Sequence, residues 1–129
     1  MHKVAKEIFN EHLGFDEPMP DFNSRFPNRL ESCLNQPFVG FSNVNFYRGL
    51  LKKAVALFYF CIKDHPFENG NKRFAVTMML YFLYKNHYWL EIDPVKLYEI
   101  AKLIANSQEK PQQVIDSIVA ALRPHVKHL

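Results

Sequence analysis

The residues whose types could do chemistry together lie in one segment near the middle of the chain, which reads His65, Pro66, Phe67, Glu68, Asn69, Gly70, Asn71, Lys72, Arg73. Apolar runs flank this polar segment, so the pattern predicts a loop that enters a helix near Gly70. The first backbone N–H groups of a helix have no partner within the helix and can hold an anion. Gly70 lets the backbone approach that anion, and Asn71 can cap the helix or orient a ligand. Lys72 and Arg73 place positive charge at the positive helix end, which suits a bound phosphate.

The segment from His65 to Arg73 resembles the signature loop of the Fic/Doc family, which reads His-Pro-Phe-x-acid-Gly-Asn-Gly/Lys-Arg. Lys72, in the eighth place, is the residue of the Doc (death-on-curing) branch. Upstream, residues 30–37 resemble the Leu-Glu-Ser-Ala-Leu-x-x-Pro segment of Doc-like proteins. The likeness covers residues 30–90, and a match of this length between two helices is far more specific than a lone glycine-rich loop.

The resemblance implies a role for each polar residue of the segment. It makes His65 the general base on a Ser, Thr or Tyr hydroxyl of a target protein, and a neutral imidazole can take such a proton. Arg73, the second catalytic residue, would neutralise phosphate with its fork of donors, and Lys72 would add a point charge. Gly70 and the N–H groups after it would form the anion nest for ATP or another nucleoside triphosphate, and Asn71 would fix the loop or touch phosphate oxygens.

Each role has a plainer alternative. His65 could be a loop histidine that bonds a backbone carbonyl, and Lys72 and Arg73 could be solvated surface cations. Phe67 is apolar inside a polar loop, and we expect it to anchor the loop on the core.

Two positions depart from the family pattern. The fifth motif position, an acidic Mg²⁺ ligand in the family, is Asn69 here, and an amide is a poorer ligand for a hard cation than a carboxylate. Glu68 could supply the metal ligand instead if the loop is rotated. Val76 stands where adenylylating Fic enzymes carry a second arginine. The lack of that arginine is the Doc pattern.

Three hypotheses of function follow. In the first, the protein is a Doc-like toxin that moves phosphate from a nucleoside triphosphate to a hydroxyl of a target protein, and an antitoxin protein silences it. In the second, it is a Fic-type AMP transferase, which Gly70 favours because Doc has alanine there. In the third, it is a degenerate Fic-fold protein that binds nucleotide or a partner without catalysis, which Asn69 favours.

Composition bounds these hypotheses. A chain of 129 residues predicts a single domain, residues 1–129, and a net charge of +3 is too weak to argue for nucleic acid. Cys33 and Cys61 lack metal-ligand spacing and lie among apolar residues, which predicts buried, reduced thiols. The longest apolar run, residues 74–84, is too short to span a bilayer, and the N-terminus lacks the apolar run of a signal peptide. We therefore expect a cytoplasmic protein without membrane contact.

The elements that must position the loop are helices. Apolar spacing predicts an amphipathic helix over residues 2–13 and a short helix over 28–35. Two helices that are apolar on nearly all sides follow, over residues 45–63 and 71–86, and must be buried. A helix that starts at Asp93 and Pro94 presents Val95, Tyr98, Leu103 and Ile104, and another starts at Lys110 and ends at Pro124.

Residues 37–44 could form either a short hairpin flap or a connector whose phenylalanines lie in the core. The resemblance implies the hairpin, which in the family pairs with target backbone. The sequence thus predicts an all-α, Fic/Doc-like helical bundle around two buried central helices, with a short β-hairpin flap.

Overall fold

The computed structural model describes residues 19–38, 40–41, 44–45 and 49–129. Across these residues the chain forms five α-helices, which are α1 (Pro27–Asn35), α2 (Leu50–Lys63), α3 (Asn71–Lys85), α4 (Pro94–Asn106) and α5 (Pro111–Leu122). The predicted all-α fold is confirmed. The helix predicted over residues 2–13 lies outside the described residues.

The core forms around α2 and α3, whose mutual contact is the most extensive between any two described elements. Every residue of α2 from Ala54 to Ile62 is buried, and so are ten residues of α3. Phe58 and Met79 are fully enclosed. The two helices therefore hold the segment between them on a rigid base, as the apolar patterning predicts.

The start of α2 differs from the prediction. The helix was expected to begin near Asn45, but Val44–Asn45 form a strand and the helix begins at Leu50. Gly49 precedes it with a φ of +86°, which is left-handed backbone that cannot continue into a right-handed helix.

The buried face of α4 also differs from the prediction. The helix buries Leu97, Ala101 and Ile104, which recur at the i, i+4, i+7 spacing of one helical face. Of the expected face, Val95 and Leu103 are exposed by 61% and 70%. The prediction was wrong for these two residues because α4 carries apolar side chains on two faces. Only the face that includes the small Ala101 packs on the core.

Two short antiparallel strand pairs complete the described fold. Strand β1 (Gly40–Phe41) pairs with β2 (Val44–Asn45), which confirms the predicted hairpin. Strand β3 (Tyr88–Leu90) pairs with β4 (Val126–His128), so the chain after α5 returns to the end of α3. Strand β4 was not predicted.

A pair of buried thiols joins α1 to α2. Cys33 and Cys61 are both free and fully buried, as predicted, and their sulfur atoms lie 3.5 Å apart. Cys33 Sγ also lies 3.2 Å from the carbonyl oxygen of Leu30. Burial, followed by the contact with Cys33, raises the pKa of the Cys61 thiol well above its ordinary value. Cys61 is therefore a protonated core residue.

Within the part of the chain that the structure describes, every helix is too short or too polar to cross a membrane.

Candidate active site

The candidate site is built on the motif loop, which we define as residues 64–70 between the end of α2 and the start of α3. Asp64 closes α2 because its N–H donates to Phe60 O at 2.9 Å. His65 then adopts a φ of +49°, and its N–H lies 3.3 Å from Ile62 O. A residue before proline is pushed out of the right-handed helical region, and here it takes left-handed backbone, which is uncommon for a residue other than glycine. This turn leaves the His65 side chain exposed.

Phe67 fixes the middle of the loop. Its side chain is fully buried and its ring meets the Phe74 ring edge-on, with centroids 4.9 Å apart. Arg25 pairs with Phe67 in an isolated antiparallel bridge, and Phe26 N–H donates to Pro66 O at 2.6 Å. The expectation that Phe67 anchors the loop is confirmed. The segment before α1 is a second support that the sequence did not reveal.

Asn71 fixes the end of the loop through its side chain. Its Oδ1 accepts from Phe67 N–H at 2.9 Å, and its Nδ2 donates to Phe67 O at 2.9 Å. The same Nδ2 lies 3.1 Å from His65 Nδ1. Asn71 was expected either to fix the loop or to touch phosphate oxygens, and the structure shows that it fixes the loop. The helix N-cap is Gly70 and not Asn71.

One cleft of about 460 Å³ gathers most of the predicted site residues. Its lining consists of Ile62, His65, Glu68, Asn69, Gly70, Asn71, Lys72 and Ala105. The volume lies within the range of small-molecule sites. Arg73, by contrast, is buried and does not line this cleft. The structure therefore brings His65 and Lys72 to one opening, and Arg73 is not among the residues that line it.

The floor of the cleft is the first turn of α3. Gly70 has a φ of +79°, the left-handed conformation that favours glycine, and no side chain caps the helix there. The first helical hydrogen bond runs from Phe74 N–H to Gly70 O at 2.9 Å. The N–H groups of the first turn carry the positive end of the helix dipole toward the cleft, and Lys72 adds a full charge beside them. This arrangement is suited to an anion.

The residues expected to hold Mg²⁺ also line the cleft. Glu68 and Asn69 are both exposed. Across the described residues, no group of three His, Cys, Asp or Glu side chains is placed to hold a metal ion. Protein sites for Mg²⁺ in phosphate transfer often use one or two carboxylates together with substrate phosphates and water. Glu68 with Asn69 fits that type of site and does not fit a site built from protein ligands alone.

Asp64 is a group whose environment the sequence did not predict. Its Oδ2 is buried without a hydrogen-bond partner. Desolvation raises the pKa of the Asp64 carboxyl above its ordinary value, and a hydrogen bond with Ser32 of α1 opposes the shift. The sequence predicts a helix that ends at residue 63, but it could not predict the contact of Asp64 with Ser32, which belongs to a distant part of the chain.

Two apolar residues of the cleft were also missed. Ile62 belongs to α2, and Ala105 belongs to the last turn of α4. The Lys63 ammonium group donates to the carbonyl oxygen of Ser107, which ties the end of α4 to the end of α2. No local sequence pattern could have predicted that Ile62 and Ala105 line the cleft together, since this depends on how α4 packs.

Comparison with known sequences identifies the class of protein to which this fold and loop belong. The Fic/DOC family model matches residues 2–83, well over half of the chain and all of the motif loop. The chain therefore belongs to the Fic/Doc family, whose members are in general protein-modifying transferases. Comparison with curated proteins and with solved structures gives no significant match.

Proposed function

We propose that the protein is a Doc-like transferase that moves phosphate from a nucleoside triphosphate to a hydroxyl side chain of a target protein. The observation that carries this proposal is that His65, Lys72 and the uncapped start of α3 share one cleft. A phosphate held at the helix start would lie beside the histidine that the family uses as a base. Positioning and electrostatic stabilisation are most of what phosphoryl transfer requires of a protein.

The residues of the cleft would have different roles in the transfer. The α3 N–H groups and Lys72 would bind the phosphates, and Glu68 with Asn69 would hold Mg²⁺, which supplies charge neutralisation when bound. Asn71 keeps the loop in place through Phe67. His65 would take the hydroxyl proton of the target. Arg73 remains a predicted phosphate ligand, although it is buried and does not line this cleft.

Two residues favour phosphate transfer over AMP transfer. Lys72 is the Doc residue of the motif. Val76, which replaces the second arginine of adenylylating enzymes, is fully buried among the core residues of α3. Gly70 is the residue that favours AMP transfer, and Asn69 favours a binding protein without catalysis.

The proposed partners are an acceptor protein and an antitoxin. The acceptor is a cytoplasmic protein with a reactive hydroxyl. An antitoxin protein would restrain the activity, as the resemblance to the Doc branch implies. A reading frame beside the gene that encodes a small partner protein would support this arrangement.

Intact-mass and peptide mass spectrometry of a cell lysate incubated with the protein, Mg²⁺ and ATP tests the proposal. A target that gains phosphate in a His65-dependent manner supports it. A gain of AMP instead assigns the protein to the Fic-type transferases, and no gain with retained nucleotide binding assigns it to the binding proteins. A parallel incubation with His65→Ala separates the activity of this protein from that of lysate kinases.

A further inference from the structure

The orientation of the Asn71 amide is fixed by one backbone residue. Its Oδ1 faces Phe67 N–H and its Nδ2 faces Phe67 O, each at 2.9 Å. The reversed orientation would set two donors against each other and two acceptors against each other. Asn71 is only 6% exposed, so water cannot readily compensate such a reversal. The Nδ2 atom therefore stays on the side of Phe67 O.

The orientation of Asn71 decides which nitrogen of His65 carries the proton. Asn71 Nδ2 lies 3.1 Å from His65 Nδ1. An amide nitrogen has two N–H donors and no acceptor lone pair, and one of its donors is used by Phe67 O. The other can bond His65 Nδ1 only if Nδ1 is an acceptor. A neutral imidazole with an acceptor at Nδ1 carries its proton at Nε2.

We propose that Asn71 is a positioning residue that holds His65 in the Nε2–H tautomer, so that the resting cleft meets a hydrogen-bond donor rather than a base. In this state Nε2–H is suited to an anionic oxygen such as a phosphate oxygen of the nucleotide. His65 can accept a hydroxyl proton only after its ring leaves Asn71 and frees the lone pair of Nδ1.

The catalytic half of the inference rests on the proposed function, whereas the tautomer does not. In the transfer step the O–H bond of the target breaks and its proton forms an N–H bond at Nδ1, which makes an imidazolium. The hydroxyl oxygen then bonds phosphorus, and the bond from phosphorus to the leaving diphosphate breaks. The Asn71 contact would thus keep the base inactive until a ligand displaces the His65 ring.

Long-range proton–nitrogen NMR of protein labelled with ¹⁵N-histidine tests the tautomer, at a pH above the range in which histidine titrates. The pattern of couplings distinguishes Nε2–H from Nδ1–H, and the loss of one set of signals in His65→Asn assigns His65. We expect the Nε2–H pattern for wild-type His65. An Nδ1–H pattern, or an even mixture of the two, overturns the inference.

Asn71→Asp supplies the matched variant, because aspartate has nearly the same shape and no donor to offer Nδ1. With an acceptor in place of the amide nitrogen, His65 is expected to switch to the Nδ1–H tautomer. A folded Asn71→Asp protein that keeps Nε2–H shows that another group sets the tautomer and overturns the inference. If this variant does not fold, the wild-type spectrum alone decides. Both spectra are recorded without nucleotide or target, so they are independent of whether phosphate transfer occurs.

Discussion

Arg25 and Phe67 form an antiparallel β-bridge between the segment that leads into α1 and the centre of the motif loop. The adjoining hydrogen bond, from Phe26 N–H to Pro66 O at 2.6 Å, extends this contact. Both residues of the bridge lie on irregular backbone, so neither helix of the central pair provides it. The loop that carries the candidate chemistry is thus held from outside the helix–loop–helix unit as well as from within.

Replacing His65 should remove transfer while the fold persists. We expect His65→Ala to lower the rate of phosphate transfer by about 10²- to 10⁴-fold, the usual contribution of a general base. Because His65 has a positive φ, His65→Asn is the better structural match, since asparagine tolerates that backbone and offers no base. Transfer is measured by mass spectrometry and helix content by circular dichroism, with the exposed His128→Ala as a control. Transfer at the wild-type rate in both His65 variants contradicts the catalytic role.

Replacing Lys72 should weaken nucleotide binding. Lys72 lines the cleft and is partly exposed, so Lys72→Ala removes a cation without opening the core. The expected loss of binding free energy is about 1.5–3 kcal/mol, the contribution of a hydrogen bond to a charged group. Isothermal titration calorimetry with ATP measures it, with the exposed Lys96→Ala on α4 as the matched control. Equal affinity in the two variants would remove Lys72 from the phosphate site.

Replacing Arg73 tests whether the buried cation takes part. If Arg73 neutralises phosphate as the resemblance implies, Arg73→Ala should cost about 1.5–3 kcal/mol of nucleotide binding free energy. Because Arg73 is buried, its variant needs a thermal unfolding curve beside the calorimetry. A loss of nucleotide affinity at unchanged melting temperature places Arg73 in the site. A loss of stability alone assigns it to the core.

The residue at position 69 should control the metal dependence. We expect Asn69→Asp to raise Mg²⁺-dependent transfer, because a carboxylate brings a full negative charge to the cation and an amide brings only a dipole. If Glu68 already supplies the ligand, Glu68→Gln is the damaging change and Asn69→Asp has little effect. Titrating Mg²⁺ against transfer rate in both variants separates these outcomes. Transfer that is absent in every protein at every Mg²⁺ concentration would support the binding protein without catalysis.

Asp64 should make stability depend on pH. Its pKa is raised in the folded protein, so the native state holds the proton more tightly than the unfolded chain. The stabilisation from that proton is complete below the ordinary value of 3.8 and is lost as the pH rises through the folded pKa. Asp64→Asn should therefore have a higher melting temperature than wild type at neutral pH, because its free energy of unfolding is expected to be larger by up to ~1 kcal/mol after allowance for solvent screening. The gain should vanish in acid, and Glu99→Gln on the exposed face of α4 should show no such gain.

The sequence predicted the parts of this site that depend on neighbours along the chain. The position of the motif loop follows from two apolar runs that flank a polar one, and the burial of Phe67 follows from its apolar character in that loop. The cap at Asp93 is also local, and its Oδ1 accepts from Val95 N–H at 2.9 Å as predicted. Such features need no knowledge of the tertiary fold.

What the sequence did not predict depends on contacts between distant segments. Asp64 contacts Ser32 of α1, and Ala105 reaches the cleft only because α4 packs on the end of α2. The face of α4 was misassigned because the helix has apolar side chains on two faces, and only its packing in the fold leaves Val95 and Leu103 exposed. Strand β4 was missed because three residues carry no periodicity, and only the partner strand β3 gives them their conformation.

The double hydrogen bond between Asn71 and Phe67 has a consequence for amide hydrogen exchange. A side-chain amide here pairs with both backbone groups of one residue, as a neighbouring strand would in a sheet. The Phe67 amide proton can therefore exchange with solvent only when its hydrogen bond to Asn71 Oδ1 breaks. The exchange rate of that single proton therefore measures how often the Asn71 side chain leaves the loop, and each such opening also breaks the Asn71 contact with His65.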